Sequence, residues 1–394
     1  SSHFGFRGPD LPLFVRSQEA ERSRGMTAVP INRLSKAKGA KYLCEITGAP
    51  ATLVCSECPV YFATKEHFDV WWRGIGNLIA ADIVVLRGPP KMIGSEEERH
   101  RRNEEIMGIR RELLEVCTAT AQKFLVQMKY ELAVPGALQS LKFAIEVYGG
   151  EATELVPSYL LLAEANLGLR RLKIAEEFLQ LANWNILKHP QAGSSMMSSL
   201  QRNFGRLYAA QQRYNEALNA FATDIYYSSK DNGPEHIRSA PSYFHMGRVF
   251  QSYQKPERAA SFYAKVVDVY TKFLEAWMNQ NSLEPSSEIT AVEVEEAIEI
   301  VKHVTDYRQK RVEDDQSDQA RMEIAEGRYT LGLLQVYTGD IASGGESLTA
   351  ALEVLLSTVG VDHDKTRACQ RQLDQLEKRS AAQQALQEQS VQQG

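Results

Sequence analysis

Asn203-Phe204-Gly205-Arg206-Leu207-Tyr208, followed by Tyr214-Asn215-Glu216-Ala217 and then Phe221, is the stretch on which the architecture turns. Its small residue Gly205 has counterparts at Ala121, Ala163 and Gly247, each 42 residues from the next. Twelve positions after each stands an alanine: Ala133, Ala175, Ala217 and Ala259. Three positions after each come Phe124, Asn166, Tyr208 and Phe250, of which Asn166 alone is not aromatic, and sixteen after come Ala137, Leu179, Phe221 and Tyr263. A fixed period of about 20–50 residues marks a repeat architecture. The residue types have a steric reason: helices packed about 8–10 Å apart need Ala or Gly where they cross, and a bulky neighbour fills the wedge beside the crossing.

This is the tetratricopeptide signature, and it predicts an all-α solenoid of helical hairpins. A period of 42 rather than the usual ~34 predicts helices longer by about a turn each, as in the extended repeats of cargo-binding tetratricopeptide proteins. Gly332 and Gly344 show the same twelve-residue spacing, and the 85 residues from Gly247 to Gly332 leave room for one irregular repeat. Its second helix is expected at Val294-Glu295-Glu296-Ala297 through Val301 and Val304, with loops at residues 278–287 and at Glu313-Asp314-Asp315. The helical pattern begins at Ser95, an N-cap candidate with Glu98 at the capping-box position. Residues 95–361 therefore read as about six repeats. Residues 362–394 read as a capping helix, polar apart from Leu373, Leu376 and Leu386, and a Gln-rich tail.

Composition agrees with a helical globular chain: of 394 residues 43% are hydrophobic and 24% charged, with only 25 Gly and 14 Pro. A formal charge of −5 offers no reason to bind nucleic acid or an anionic membrane. The charge is uneven, since residues 1–41 carry eight basic side chains against three acidic ones. Residues 1–40 lack any helical or strand period and read as an extended basic arm that orders only against a partner. No apolar run approaches the ~18 residues of a membrane span. Five cysteines, three of them at Cys44, Cys55 and Cys58, do not form a disulfide framework and point to metal ligation in a reducing, cytosolic compartment.

Residues 41–94 read as a separate small module. The segment Cys44-Glu45-Ile46-Thr47-Gly48-Ala49-Pro50, then Val54-Cys55-Ser56-Glu57-Cys58, Tyr61-Phe62 and His67, resembles a MYND zinc finger, whose eight ligands hold two interleaved zinc ions. Here the ligand set is degenerate. Cys44 stands at the first ligand position, Cys55 and Cys58 at the third and fourth, and His67 at the sixth. The second falls on Thr47, the fifth near Ala63 or Thr64, and no Cys or His follows His67 before His100. Since a structural zinc stabilises a fold only through a complete ligand set, the expectation is no metal and a module held by packing of Phe68, Trp71 and Trp72. A rearranged single site of Cys44, Cys55, Cys58 and His67 is the alternative.

No catalytic constellation emerges. Asn-His-x-Cys, the methyl-donor motif of the methyltransferases that combine a MYND finger with similar repeats, is absent, as are the phosphate loop, the nucleophile elbow and His-Glu-x-x-His. The remaining histidines, His3, His100, His189, His236, His245, His303 and His363, read as surface or satisfied core positions. Glu293, Glu295, Glu296 and Glu299 read as a solvated helix face. Tyr226-Tyr227 and Tyr243-Phe244 read as packing between repeats. Of the positions at which such repeats clamp a terminal carboxylate, only Asn203 carries a suitable side chain; Thr118, Gln122, Pro241 and His245 occupy the others.

Ser95–Arg99, Val134-Pro135-Gly136-Ala137-Leu138-Gln139-Ser140-Leu141, Val156-Pro157-Ser158-Tyr159-Leu160-Leu161-Leu162-Ala163-Glu164-Ala165, Asp224-Ile225-Tyr226 and Tyr243-Phe244-His245 occur in this order. Over roughly residues 40–310 the chain thereby resembles the zinc-finger MYND-domain-containing protein twelve family. That group includes the light-chain-like subunit of algal inner-arm dynein d. The resemblance implies a non-enzymatic subunit of the motile ciliary axoneme. Its implied partners are a single-headed inner-arm dynein heavy chain and a second tetratricopeptide protein. The basic arm would then meet tubulin or doublet-microtubule proteins. A soluble adaptor that binds peptide segments of a cargo or signalling partner is the alternative, and a MYND-type corepressor a third reading that the missing ligands weaken.

Overall fold

The structure is a computed structural model that describes residues 27–32, 41–88, 94–189, 191, 193–280, 289–314 and 317–376. Two compact units result: one holds the residues up to Ala121 with Glu131–Gly150, the other Gln122–Tyr130 with the residues from Glu151 onward.

In the first unit a small antiparallel sheet has the order β1 (Ala28–Pro30), β2 (Leu53–Cys55), β3 (Tyr61–Phe62), with Val29 opposite Val54 and Val54 opposite Tyr61. The expectation that residues 1–40 order only against a partner is corrected at this strand. An open edge of β2 offers unpaired backbone groups, and an apolar segment of the same chain takes them: Ile31 N–H donates to Thr52 O (3.0 Å) and Ser56 N–H to Thr27 O (2.9 Å). Pro30 is tolerated because it lies on the edge strand. The rest of the arm lies outside the described residues.

Helix α1 (Lys65–Trp71) starts on Thr64, whose hydroxyl accepts the His67 N–H at 3.3 Å. It runs through a wide turn at Trp72–Gly76 into α2 (Asn77–Arg87). Gly74 is required in that turn, because a Cβ there would lie 2.7 Å from the Leu132 carbonyl oxygen. α3 (Glu96–Val126) opens on the expected capping box, Ser95 Oγ accepting the Glu98 N–H at 3.2 Å, and is followed by α4 (Tyr130–Tyr148). The packing does not divide at residues 94/95. Phe62, Trp71, Ile75 and Ile79 share one buried cluster with Leu113, Cys117 and Phe143 of this hairpin. A ~50-residue module has too little interior of its own, so the hairpin completes the core.

The second unit continues as α5 (Val156–Gly168), α6 (Leu172–Lys188), α7 (Ser194–Ala210), α8 (Tyr214–Asn232), α9 (Ala240–Ser252) and α10 (Pro256–Met278). These pair as the hairpins α5/α6, α7/α8 and α9/α10. At each crossing the small residue faces the residue sixteen positions on. A Cβ on Gly205 would lie 2.5 Å from the Phe221 ring, one on Gly247 2.6 Å from Tyr263, and one on Gly332 2.8 Å from Leu348. The turns are equally regular: Met128, Arg170, Gln212 and Gln254 all have φ between 54° and 62°, and Gly339 closes the fifth turn at 84°. In every one the next N–H donates at 2.9 Å to the carbonyl at the aromatic position, as Arg213 does to Tyr208.

The irregular repeat is α11 (Ala291–Asp314), which packs on α12 (Asp318–Tyr337), itself paired with α13 (Ile341–Thr358). Gly327 lets α12 approach Thr305 of α11, while Gly332 and Gly344 bring α12 and α13 together. The loop expected at Glu313-Asp314-Asp315 is corrected in part, since α11 continues through Asp314, with Arg308 buried and bonded to Glu323 O (2.6 Å) across the hairpin. Helix α14 spans residues 364–376, with Cys369 and Leu376 in the core. Residues 281–288 of the expected central loop, and the end of the capping helix with its Gln-rich tail, lie outside the described residues. The chain is an all-α tetratricopeptide solenoid with a small sheet near its start.

Candidate interaction site

The four candidate metal ligands come together as two pairs. Cys44 Sγ lies 3.4 Å from His67 Nδ1, placed by a bridge that pairs Leu43 with Pro50 and by the start of α1. Burial opposes ionisation of the Cys44 thiol, but hydrogen bonds from Thr47 hold its pKa below the ordinary value. Cys55 and Cys58 form the second pair at the end of β2, both buried; a hydrogen bond from Cys58 lowers the Cys55 thiol to about 6, and the Cys58 thiol is correspondingly raised. The single site of Cys44, Cys55, Cys58 and His67 is not assembled. Among the described residues no group of three or more His, Cys, Asp or Glu side chains is placed to share a metal ion. Phe62 packs against Phe68 and Trp71 with ring centroids 5.4 and 5.3 Å apart, and Trp71 is fully buried.

Beside these pairs sits a charge that the sequence did not mark. Glu45 Oε1 accepts from Arg87 (2.9 Å), Lys142 (2.7 Å) and Gln139 (2.8 Å), which bonds the module to α2 and α4. Burial alone would raise its carboxyl pKa; Arg87 and Lys142 overcome this and hold it at about 2.

On the second unit, α7 projects Arg202 and Arg206 one turn apart. Arg202 Nε donates to Asp224 of α8 at 2.9 Å, and the fully buried Asp224 also accepts from Ser198 and Ser242. Burial disfavours the Arg202 charge, yet Asp224, with Glu296 further off, more than compensates and keeps it protonated. Arg206 donates to Glu164 at 2.5 Å, across one 42-residue period. His245 stacks on Phe221 (5.3 Å), and burial together with Arg206, Arg248 and Arg202 drives its pKa well below the ordinary value, so it is neutral at pH 7. Next to Arg202 opens a cavity of about 180 Å³, walled by α7, α8, α9, α10 and α11 and including Glu293 and Glu296. The acidic run is therefore divided: Glu295 is exposed, Glu299 pairs with Lys302, and Glu293 and Glu296 face the cavity.

Asn203 is buried and donates to Ser199 O (3.1 Å) on its own helix, while Pro241 at another clamp position lines the cavity. Tyr243 stacks on Phe262 (6.4 Å) and Phe244 meets Tyr263 with tilted rings (6.0 Å), as packing between helices requires. Tyr226 departs from that expectation with 63% of its surface exposed, and Tyr227 lines the cavity. His189 bonds Asn185 O (2.9 Å), His303 meets the Phe244 ring edge-on (5.3 Å), and His3 lies outside the described residues. Among the described residues no helix is long and apolar enough to cross a membrane.

The tetratricopeptide-repeat family profile matches residues 196–272, the span from α7 into α10 that holds Arg202, Asp224 and the Gly205/Phe221 crossing. Solved structures with similarity to this chain include nearly identical TPR-like repeats of a protein described as a kinesin light chain from Podosopora anserina, 16% identical, covering 62% of this chain and 96% of the other, with a TM-score of 0.35. BtubC (BKLC) from P. vanneervenii is 16% identical over 64% of this chain and 94% of its own, with a TM-score of 0.29. Repeat solenoids of this kind present extended surfaces to protein partners, and a protein-interaction scaffold or adaptor is the general role that the repeats support.

Proposed function

We propose that this chain is a non-enzymatic scaffold subunit of the motile ciliary axoneme, holding a single-headed inner-arm dynein together with a second tetratricopeptide protein. The observation that carries it is the regular series of hairpins, closed by the same crossing and the same turn and tied by the pairs Arg202–Asp224 and Arg206–Glu164. The ordered sequence segments from Val134 to His245 that resemble the axonemal family support the specific setting. The basic arm at residues 1–40 supports a contact with an acidic tubulin surface.

A strain lacking this chain is expected to lose one class of inner arm while the others remain; arms of every class in place would end the proposal. The protein should stay with detergent-extracted axonemes and leave only at high salt. Release with the detergent extract would favour the second reading, a soluble adaptor, which the cavity beside Arg202 makes specific enough to test.

A further inference from the structure

The lining of the cavity beside Arg202 holds two arginines and two glutamates, and Asp224 behind Arg202 leaves one carboxylate in excess. Arg202 is committed to Asp224, and Arg238 faces Glu293 at 4.0 Å. Glu293 is engaged a second time, accepting the Thr290 N–H at 2.7 Å in a capping box. Glu296, one turn further along α11, makes no hydrogen bond or ion pair among the described residues. Burial raises its carboxyl pKa above the ordinary range, and Glu164 and Glu293 push the same way against Arg202 and Arg206. Such a group gains by meeting a cation.

The rest of the lining says which cation. Ser195, Ser199, Tyr227 and Tyr270 present hydroxyls that have no hydrogen-bond partner among the described residues, and the two serines stand on α7 across from Glu296. An alkylammonium has three N–H donors and no acceptor, and Glu296 with Ser195 and Ser199 would satisfy all three. Ile237, Pro241 and Ile289 with the ring of Tyr270 supply apolar surface for an aliphatic stem. The volume of about 180 Å³ corresponds to roughly six waters, the scale of a lysine side chain and far more than a bare metal ion needs.

We infer that this cavity receives a lysine side chain of an extended partner polypeptide, its ammonium on Glu296 with Ser195 and Ser199, its stem against Ile237 and Ile289. The inference rests on reading this face of the repeats as a partner-binding surface, and makes the cavity its lysine-selective subsite. The ionic pairs Arg202–Asp224 and Arg206–Glu164 shape the floor without taking part.

The test uses the purified full chain and the peptide acetyl-Gly-Ala-Lys-Ala-Gly-amide, with norleucine, Arg and Glu versions as controls, followed by NMR titration or calorimetry. The Lys peptide should bind at least tenfold more tightly than the norleucine and Arg peptides, and the Glu peptide should not bind. Glu296→Gln should weaken the Lys peptide at least tenfold without lowering the melting temperature, and Ser199→Ala should weaken it severalfold. Equal binding of Lys and norleucine, or preference for Glu, overturns the inference. So does a Glu296→Gln protein that melts several degrees lower and binds as before, which would make Glu296 a structural counter-ion. Because binding is read on the isolated chain, failure here with the protein still retained in axonemes removes the subsite alone, and binding without axonemal retention removes the axonemal setting alone.

Discussion

Gly205 and Phe221 are matched in volume, and Gly205→Ala with its compensating partner tests that match. Phe221 is fully buried, and a Cβ on Gly205 would stand 2.5 Å from its ring, while ordinary carbon contacts lie at about 3.5–4.0 Å. The ring would have to retreat by about 1 Å into a closed core, an overpacking cost of about 1–3 kcal/mol. Alanine recovers about 1 kcal/mol of helix propensity over glycine, so the net loss should be about 1 kcal/mol. Phe221→Leu alone leaves a void beside the glycine and should cost about 1–2 kcal/mol. The preceding repeat holds Ala163 and Leu179 at these two positions, both buried, so the double variant installs a pair that this same fold already accommodates. Its loss should fall below the sum of the single losses by about 1 kcal/mol or more. Urea unfolding of the full chain followed by far-UV circular dichroism measures all four proteins. Additivity within about 0.5 kcal/mol would show the two residues to be uncoupled and would refute the volume-matching account.

The remaining predictions concern charges and turns. Glu45 has a folded pKa of about 2 against an ordinary 4.5, so its pairing stabilises the fold at pH above about 4.5 and that contribution is lost as pH falls towards 2. Glu45→Gln should therefore cost about 2–3 kcal/mol at pH 7 and flatten the stability profile between pH ~4.5 and ~2, checked by thermal melts across that range. Asp224→Ala strands Arg202 and should cost about 3–5 kcal/mol; an unchanged melting temperature would mean that Arg202 finds another partner. Gly339→Ala, at φ 84° with open space around it, should lose about 1 kcal/mol, whereas Gln212→Gly, at φ 62°, should gain up to about 1 kcal/mol; equal signs would contradict the strain argument.

The repeats were legible because close packing leaves few choices. Only a small residue fits where Phe221 or Tyr263 presses on the facing helix, so the 42-residue register is written in side-chain size. The turns carry the same register with nothing in their side chains to announce it: Met128, Arg170, Gln212 and Gln254 share one left-handed backbone conformation that glycine would ordinarily mark, and only Gly339 does so. Asn166, the misfit in the aromatic column, is reconciled by its own helix, since its side chain donates to Leu162 O at 2.7 Å and needs no cross-helix partner. Glu296 reads in the sequence as part of a solvated face because helical periodicity cannot foresee that α11 turns this side towards α7.

The small module shows why counting ligands was informative and yet incomplete. Cys44 and His67, the first and sixth ligand positions, stand together, and Cys55 and Cys58, the third and fourth, stand together. What spacing could not supply is the interior that surrounds them. Cys55 and Cys58 are buried in the same apolar cluster as Leu113, Cys117 and Phe143, residues that the period assigned to the first repeat. Glu45, inside the finger-like segment, reaches Gln139 and Lys142 on α4 across more than 90 residues of sequence. The module thus shares one apolar cluster and one largely buried charge with the hairpin. Removing that hairpin should unfold the module, whereas a domain closed by its own metal would survive the cut. The α3/α4 hairpin therefore serves twice, carrying the 42-residue register in its sequence and supplying the core on which the preceding module folds.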